Sequence, residues 1–473
     1  MHGKDPFSRS ETQVMTRGLM ELVSKYDVSG PRYTSYPPAP VFSNQFGAAE
    51  MKEAVLRTEE DPAGDGISLY LHIPFCDTLC YFCGCTTIIT RNQSHLAEYL
   101  QYLKKEIDIL APLINKRRRM VQMHWGGGTP TYLSPSQIEE LGAYLRKSFR
   151  FDEHAEVSVE IDPRDLTYHH LRALRQSGFN RISLGVQDFN SKVQHAINRN
   201  QSEFLTREVI TWSRDLGFTS TNVDLIYGLP LQTPASFRET LEKIIDISPE
   251  RIAVYNFAFV PWLKKAQKLI SRDDLPSPEA KIEILATTID RLMEAGYEYI
   301  GMDHFAKPTD ELAVAQKTKS LLRNFQGYST KAGADLYGLG MSSISHFGPY
   351  YAQNEKTLPE YYAAIDKGTF ATHLGYHMTF DDEVRKFVIM RLMCDLELRF
   401  SDVADKFKIN VPVYFAESLV SLRPLVTDGF IVATDSSLTV TSLGRRFLRN
   451  IAMCFDAHLP QAAGKTPLYS KTV

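Results

Sequence analysis

Four cysteines fall within ten residues, at Cys76, Cys80, Cys83 and Cys85, and their spacing is that of a soft-metal site. Thiolates gathered in one short loop select zinc or an iron–sulfur cluster. Zinc ordinarily takes two separated ligand pairs to close a tetrahedron, and no second C-x2-C or H-x3-H follows this run. A zinc site completed by Cys85 would need a cramped set of four thiolates. The C-x3-C-x2-C frame of Cys76, Cys80 and Cys83 suits a four-iron cluster in which one iron lacks a protein ligand. That open iron can chelate the amino and carboxylate groups of a small molecule.

Other polar residues could serve the same site. Trp125-Gly126-Gly127-Gly128-Thr129-Pro130-Thr131 offers backbone N–H and C=O groups that can approach a charged ligand closely, although by itself it reads as a turn. Glu160 can accept hydrogen bonds from an amino group or a ribose; paired with Arg164 or Arg181 it would be only a buried carboxylate. Gln187, Arg199 and Asp224 stand after or within strand-like runs. Asp224 interrupts an apolar run, where an unpaired charge is costly. A ribose diol or a neighbouring arginine would satisfy it. His72 and His304 are further candidates, each with an ordinary structural alternative.

A β-then-α alternation must position these residues. Strand-like runs cover residues 67–73, 121–125, 156–161, 181–186, 222–227 and 251–257, with a seventh at 298–302. Between them, Leu96, Leu100, Leu103, Ile107 and Leu110 share one helical face, as do Leu205, Val209, Trp212 and Leu216. Ser134-Pro-Ser-Gln137 reads as an N-cap with a capping box, and Gly178, Gly217 and Gly296 follow helical runs where a left-handed residue is expected. Such alternation predicts an α/β fold with a parallel sheet, curved into a partial barrel. Ligands then gather at the C-terminal strand ends. The cysteine loop and residues 126–131, 162–164, 187–188 and 227–230 all fall there.

Residues 1–50 read as an N-terminal extension, with one helix and an extended stretch at 31–40 that should lie over another surface. Residues 51–375 form the expected catalytic domain. Residues 376–473 turn mostly helical, with helices at 382–396 and 442–458 around a hairpin, as in a small winged-helix-like domain. Cys394 and Cys454 lie in apolar patterns and are expected in the core.

Composition sets the class. The chain has 473 residues, 43% hydrophobic and 23% charged, with a formal charge of −3, so no basic field argues for nucleic acid. No window of about 18 uninterrupted apolar residues predicts a membrane span. Residues 1–8 lack an apolar signal core, and clustered cysteines suit a reducing cytoplasm, so a cytoplasmic protein is expected. A monomer is expected because no exposed heptad stands out.

The C-x3-C-x2-C frame after the first strand of a β/α barrel resembles the radical S-adenosylmethionine superfamily. A longer set sharpens this: Ser29-Gly-Pro-Arg-Tyr-Thr-Ser-Tyr-Pro37, the Cys76–Cys85 loop, Glu160-Ile-Asp-Pro-Arg164, Gly185-Val-Gln-Asp-Phe189, Asn222-Val-Asp-Leu-Ile-Tyr-Gly-Leu-Pro230, Gly301-Met-Asp-His-Phe305 and Arg323-Asn-Phe-Gln-Gly-Tyr328. Together these resemble the oxygen-independent coproporphyrinogen III oxidase family over nearly the whole chain from about Tyr26. The resemblance implies a 4Fe–4S cluster on Cys76, Cys80 and Cys83, with Cys85 not a ligand. It implies two molecules of S-adenosylmethionine, contacted by Tyr70, Phe82, Gly127, Gly128, Thr129, Glu160, Gln187, Arg199, Asp224, Ala258 and Ile344. The implied reaction starts when a 5′-deoxyadenosyl radical takes a β-hydrogen from a propionate of coproporphyrinogen III. Carbon dioxide leaves and an electron passes to an unidentified acceptor; two propionates become vinyl groups, giving protoporphyrinogen IX for haem biosynthesis. The donor would be a flavodoxin or ferredoxin. A haem chaperone of the HemW type, or a radical enzyme acting on haem, is the alternative; Gly84-Cys85 and the Gly30-Pro-Arg-Tyr-Thr-Ser-Tyr motif favour the oxidase. Side chains that face substrate between Tyr255 and Ala266 are the least tied to the family pattern.

Overall fold

The computed structural model describes residues 18, 20–64, 66–331, 333–459 and 469–472; the stretch 1–8 read above for a signal lies outside them. Six strands, β1 (Gly66–Ile73), β2 (Arg119–Gly127), β3 (Phe151–Ile161), β4 (Arg181–Gln187), β5 (Ser220–Tyr227) and β6 (Arg251–Asn256), run parallel in sequence order. The seventh expected run is β7 (Glu298–Gly301), which is antiparallel to β8 (His304–Ala306), itself antiparallel to β6. Short strands β9 (Leu322–Asn324) and β10 (Gly327–Ser329) form a separate pair. At the opposite edge β11 (Asp335–Leu339) adds parallel to β1, followed by antiparallel β12 (Ile344–Phe347), β13 (Tyr350–Asn354) and β14 (Thr372–His377). One 12-stranded sheet results, with order β14-β13-β12-β11-β1-β2-β3-β4-β5-β6-β8-β7.

Parallel sheets are usually apolar on both faces because helices cover both. Here the residues alternate. Leu69, Leu71, Met123, Trp125, Val157, Val159, Leu184, Val223 and Val254 are buried on the face that helices cover. The other face carries rows of polar partners in register: Ser68 with Gln122 and Glu156, Tyr70 with His124 and Ser158, and Gly185 with Asp224 and Ala253. This polar inner face is what a ligand-holding partial barrel requires.

The helices close the outer face. In α1 (Gln93–Leu110) all five expected apolar residues are buried. In α2 (Pro135–Ser148) the N-cap is reciprocal: Ser134 N donates to Gln137 Oε1 at 2.9 Å and Gln137 N to Ser134 Oγ at 3.4 Å. Gly178, Gly217 and Gly296 take φ of 92°, 79° and 87° after their helices, the left-handed turn that a Cβ would strain.

A second core joins distant parts of the chain. Val23, Tyr33 and Tyr36 are buried with Val384, Val388 and Leu392 of α3 (Phe380–Asp395) and with Leu448 and Ile451 of α4 (Leu448–Met453). The stretch 31–40 therefore does more than lie over a surface. Its irregular backbone finds specific donors, as buried peptide groups must: Arg449 Nε donates to the Pro31 carbonyl at 3.0 Å, and Arg449 also donates to that of Gly30. Tyr33 donates to Asp456 at 2.9 Å, and Ala457 N to Tyr36 Oη at 3.0 Å. Cys394 is buried here, and Cys454 is partly buried against the same core.

The expected C-terminal hairpin is present as β16 (Ile431–Ala433) and β17 (Ser437–Val440), joined by a third strand, β15 (Glu397–Arg399), too short to show a period. The expected helix over 442–458 is cut short. A 3-10 turn, Gly444–Phe447, precedes α4, because Phe447 leaves helical dihedrals (φ −115°, ψ 23°) while its ring stacks on Phe430 at 4.1 Å.

Candidate active site

The cysteine loop follows β1 and is fastened from beneath. Short strands Phe75–Cys76 and Ile88–Ile89 pair in parallel at its two ends. Gly128 N donates to the Ile73 carbonyl at 2.8 Å and Thr129 N to that of Phe75 at 2.9 Å. Thr129 Oγ1 lies 3.3 Å from Cys76 Sγ. The glycines are required at this contact. A Cβ on Gly128 would stand 2.6 Å from the Pro74 carbonyl, and one on Gly127 (φ 115°) would stand 2.6 Å from the His72 ring. The expected ligand loop and glycine turn therefore form one unit.

Two guanidinium groups meet the loop, Arg164 from the end of β3 and Arg199 from beyond the short helix Ser191–Ala196 that follows β4. Arg164 Nη2 lies 3.5 Å and Arg199 Nη1 3.6 Å from Cys80 Sγ. Both pair with Asp162, Arg164 Nη2 at 2.6 Å and Arg199 Nη1 at 3.1 Å. Burial acts to raise the Asp162 carboxyl, but Arg199 and Arg164 overcome it and hold it at about 2. Arg199 also donates to the Gly185 carbonyl at 2.6 Å, and its buried Nε has no hydrogen-bond partner among the described residues. Two fixed cations against the Cys80 thiol suit an electron-rich sulfur cluster, whose negative charge the guanidiniums would offset.

The predicted carboxylates stand across this loop on the inner face. Glu160 accepts from Gly127 N at 3.0 Å and lies 3.5 Å from His124 Nε2. Burial acts to raise it, yet His124 and the Gly127 N–H hold it below the ordinary range. It pairs with neither Arg164 nor Arg181; the latter pairs with Glu156 and Glu311. Its side chain stays 44% exposed, open to a ligand. Asp224 accepts from Asn222 Nδ2 at 2.8 Å and from Ser183 Oγ at 3.1 Å, so its near neighbours are neutral rather than an arginine. Burial, followed by repulsion from Glu160, pushes Asp224 up to about 6.

The remaining expected contacts surround these groups. Tyr70 donates to or accepts from His72 Nδ1 at 3.1 Å and stacks on His124 at 5.9 Å. Gln187, with φ 68°, is buried, and its Oε1 lacks a partner among the described residues. Gln267 ties Phe82 to Ala258 by donating to their carbonyls at 3.3 and 3.0 Å. Ile344 opens β12, beyond β1 and β11, and packs in a separate apolar group with Phe42 and Tyr351. His72 spends its second nitrogen on the Thr86 carbonyl at 2.9 Å, which makes it a loop fastener.

Sequence reasoning placed residues 162–164 at a ligand-bearing strand end without giving Asp162 and Arg164 a role, and it missed His124 and Gln267 as members of this constellation. His124 was visible only as a polar residue in an otherwise apolar strand, and Gln267 carried no signal.

Residues 70–244 match the Radical SAM superfamily, and residues 378–447 match the HemN C-terminal domain. Over 94% of this chain and 96% of its own length, the oxygen-independent coproporphyrinogen III oxidase of Salmonella typhimurium is 49% identical. The chain belongs to the oxygen-independent coproporphyrinogen III oxidase family. A second member of the family, from Synechocystis, is 45% identical over 96% of this chain and 97% of its own. The solved structure described as coproporphyrinogen III oxidase (HemN) from Escherichia coli, a radical SAM enzyme, superposes with a TM-score of 0.88 at 46% identity. It covers 93% of this chain and 99% of that one. Membership in the oxidase family, over nearly the full length, disfavours the HemW-type reading.

Proposed function

We infer that this chain decarboxylates two propionate side chains of coproporphyrinogen III to vinyl groups, giving protoporphyrinogen IX without oxygen. One observation carries this reading: family membership over 94% of the chain, borne by a cysteine loop and a glycine turn that meet at the ends of the first two parallel strands. When bound, a 4Fe–4S cluster and S-adenosylmethionine supply one electron and a 5′-deoxyadenosyl radical that removes a propionate β-hydrogen. Cys76, Cys80 and Cys83 hold the cluster in this reading, while exposed Cys85 stays free. Arg164 and Arg199 offset the charge of the thiolates. Glu160 takes the cationic amino end of S-adenosylmethionine, whose backbone contacts come from Gly127, Gly128 and Thr129. Tyr70, Phe82, Gln187, Arg199, Asp224, Ala258 and Ile344 complete the contacts. The buried Oε1 of Gln187 and Nε of Arg199, both without partners among the described residues, support such contacts.

The protein's task is to orient these groups and to exclude water that would quench a radical. No acid or base is needed for hydrogen abstraction. After it, the C–C bond to the carboxylate breaks, carbon dioxide leaves and one electron passes to an acceptor. Two molecules of S-adenosylmethionine serve the two propionates. A flavodoxin or ferredoxin supplies electrons to a monomeric, cytoplasmic enzyme. In the same reading residues 1–50, 51–375 and 376–473 divide the chain into extension, catalytic domain and C-terminal domain.

Anaerobic incubation of reconstituted protein with coproporphyrinogen III, reductant and S-adenosylmethionine tests this. Protoporphyrinogen IX and two equivalents of carbon dioxide are the expected products. Tight haem binding with no carbon dioxide from a protein carrying an intact cluster would instead return the chaperone reading.

A further inference from the structure

Beyond β6 the inner face carries a buried cation that no anion matches. Arg323, on β9, is 5% exposed. Its Nε makes one long hydrogen bond, 3.4 Å to the Arg32 carbonyl, and its guanidinium sits 4.8 Å from the Tyr328 ring centroid. Its buried Nη1 has no hydrogen-bond partner among the described residues. Neither does an acidic side chain come within ion-pair distance of it among those residues. Nearby, Arg32 pairs with Asp303, Arg251 Nε reaches both Asp310 oxygens at 2.9 Å, and Arg449, also without an ion pair among the described residues, spends its donors on backbone carbonyls. A buried charge without a counter-ion costs several kcal/mol in general, so its retention points to an anion that arrives from outside.

A second unpartnered group lies beside it. His304, on β8, has a buried Nδ1 with no partner among the described residues, and its ring meets Tyr328 and Tyr255 edge-on at 5.3 and 5.9 Å. Register places it with the cofactor residues: His304 pairs with Ala253, which pairs with Asp224. Tyr255, which meets the His304 ring, counts Asp224, Asp303, Arg32 and Arg323 among its charged neighbours.

We propose that Arg323, with His304 beside it, receives a carboxylate of a propionate other than the one undergoing reaction. The inference rests on the substrate reading above. The reacting carboxylate is a poor occupant, because an ion pair there would stabilise the charge that must be lost as carbon dioxide. A planar carboxylate fits a guanidinium whose Nη1 is free, and holding one corner of the macrocycle orients the opposite corner toward Glu160 and Asp224. Arg323 is then a specificity-determining residue for the tetra-anionic substrate.

The test is equilibrium binding of coproporphyrin III, followed by its fluorescence, to the reconstituted protein and to its Arg323→Gln and Arg323→Lys variants. S-adenosylmethionine binding and turnover are measured in parallel. A charge-assisted hydrogen bond is worth about 1.5–3 kcal/mol, so Arg323→Gln should weaken porphyrin binding roughly 10–100-fold. Arg323→Lys should recover part of that loss, and S-adenosylmethionine affinity should stay unchanged in both. Among the four mono-methyl esters of coproporphyrin III, one should bind the original protein with the same loss and lose nothing more in Arg323→Gln. Unchanged porphyrin affinity in a folded Arg323→Gln protein overturns the inference. So does weakened S-adenosylmethionine binding, or an equal further loss with all four esters. Should the unsubstituted protein form no protoporphyrinogen, the substrate reading fails instead.

Discussion

Glu160 and Asp224 on one side of the inner face, and Arg323 on the other, are charged groups left without an opposite charge in ion-pair contact among the described residues. The carboxylates are held by neutral or weakly basic donors: Gly127 N–H and His124 for Glu160, Asn222 and Ser183 for Asp224. The guanidinium is held by a carbonyl and an aromatic face. Other buried charges are matched in different ways: Arg118 pairs with Glu59 at 2.6 Å and with Asp335 at 2.9 Å, whereas Arg449 donates to several backbone carbonyls. Charge of opposite sign without an ion-pair partner suits the chemistry of the two proposed ligands, one bearing sulfonium and ammonium groups and the other four carboxylates.

The largest effect is expected where the acidic side meets the cysteine loop. Replacing Cys76, Cys80 or Cys83 with alanine should abolish iron–sulfur absorbance after reconstitution and eliminate turnover, whereas Cys85→Ala should keep the cluster; equal loss in all four would dissolve the distinction. Next, Glu160→Gln removes a charged acceptor while keeping its shape. It should weaken S-adenosylmethionine binding roughly 10–100-fold and leave coproporphyrin III affinity within twofold. A fall in both affinities would mean that the two sides do not act separately.

Asp224 gives a smaller, pH-dependent effect. Burial and Glu160 raise it to about 6, so it is ionised above that pH and neutral below. S-adenosylmethionine affinity should decline as pH falls from 7 to 5, and Asp224→Asn should flatten that decline. A variant with the same pH profile would remove Asp224 from the cationic contact.

Glu106 is the control, a carboxylate buried away from both sides. It accepts from Gly340 N at 2.6 Å, Asn354 Nδ2 at 2.6 Å and Tyr361 Oη at 2.7 Å, yet burial lifts it to about 7. The folded protein holds this proton more tightly than the unfolded chain. Its contribution to stability is therefore whole below about pH 4.5 and is lost as pH rises to 7, a loss of about 3 kcal/mol at 1.36 kcal/mol per pKa unit. Glu106→Gln should remove that slope from denaturant titrations between pH 5 and 8 without altering either ligand affinity.

Much of this was legible in the chain. The strand-like runs, the capping box at Ser134 and the turn glycines gave the order of strands and helices, because each is a local signal. The cysteine spacing, and Glu160, Gln187 and Asp224 after or within strand-like runs, gave the expectation of a cofactor side. The partners of those groups were not legible. Whether Glu160 meets Arg164, Arg181 or His124 depends on register across strands, and a carboxylate in a strand looks the same in each case. Arg323 was quoted only as part of a family motif, since an unmatched charge is a property of the packed structure. The shortened helix at 444–453 escaped for the same reason: Phe430, which stacks on Phe447, is a tertiary neighbour.

The tie between the two ends of the described chain has a consequence for biosynthesis. Ser29 donates to the Tyr469 carbonyl across 440 residues, and Arg449 holds the carbonyls of Gly30 and Pro31 together with those of Ser470 and Lys471. Tyr33 and Tyr36 therefore have no final resting place until α4 and the segment beyond it have emerged from the ribosome. At about 5–20 residues per second that delay is roughly 20–90 s, during which an apolar, tyrosine-rich segment stands open while the parallel strands assemble behind it. The nascent chain thus keeps the stretch around Tyr33 and Tyr36 open to chaperones and proteases while the parallel strands form, before the clasp at Arg449 closes on it.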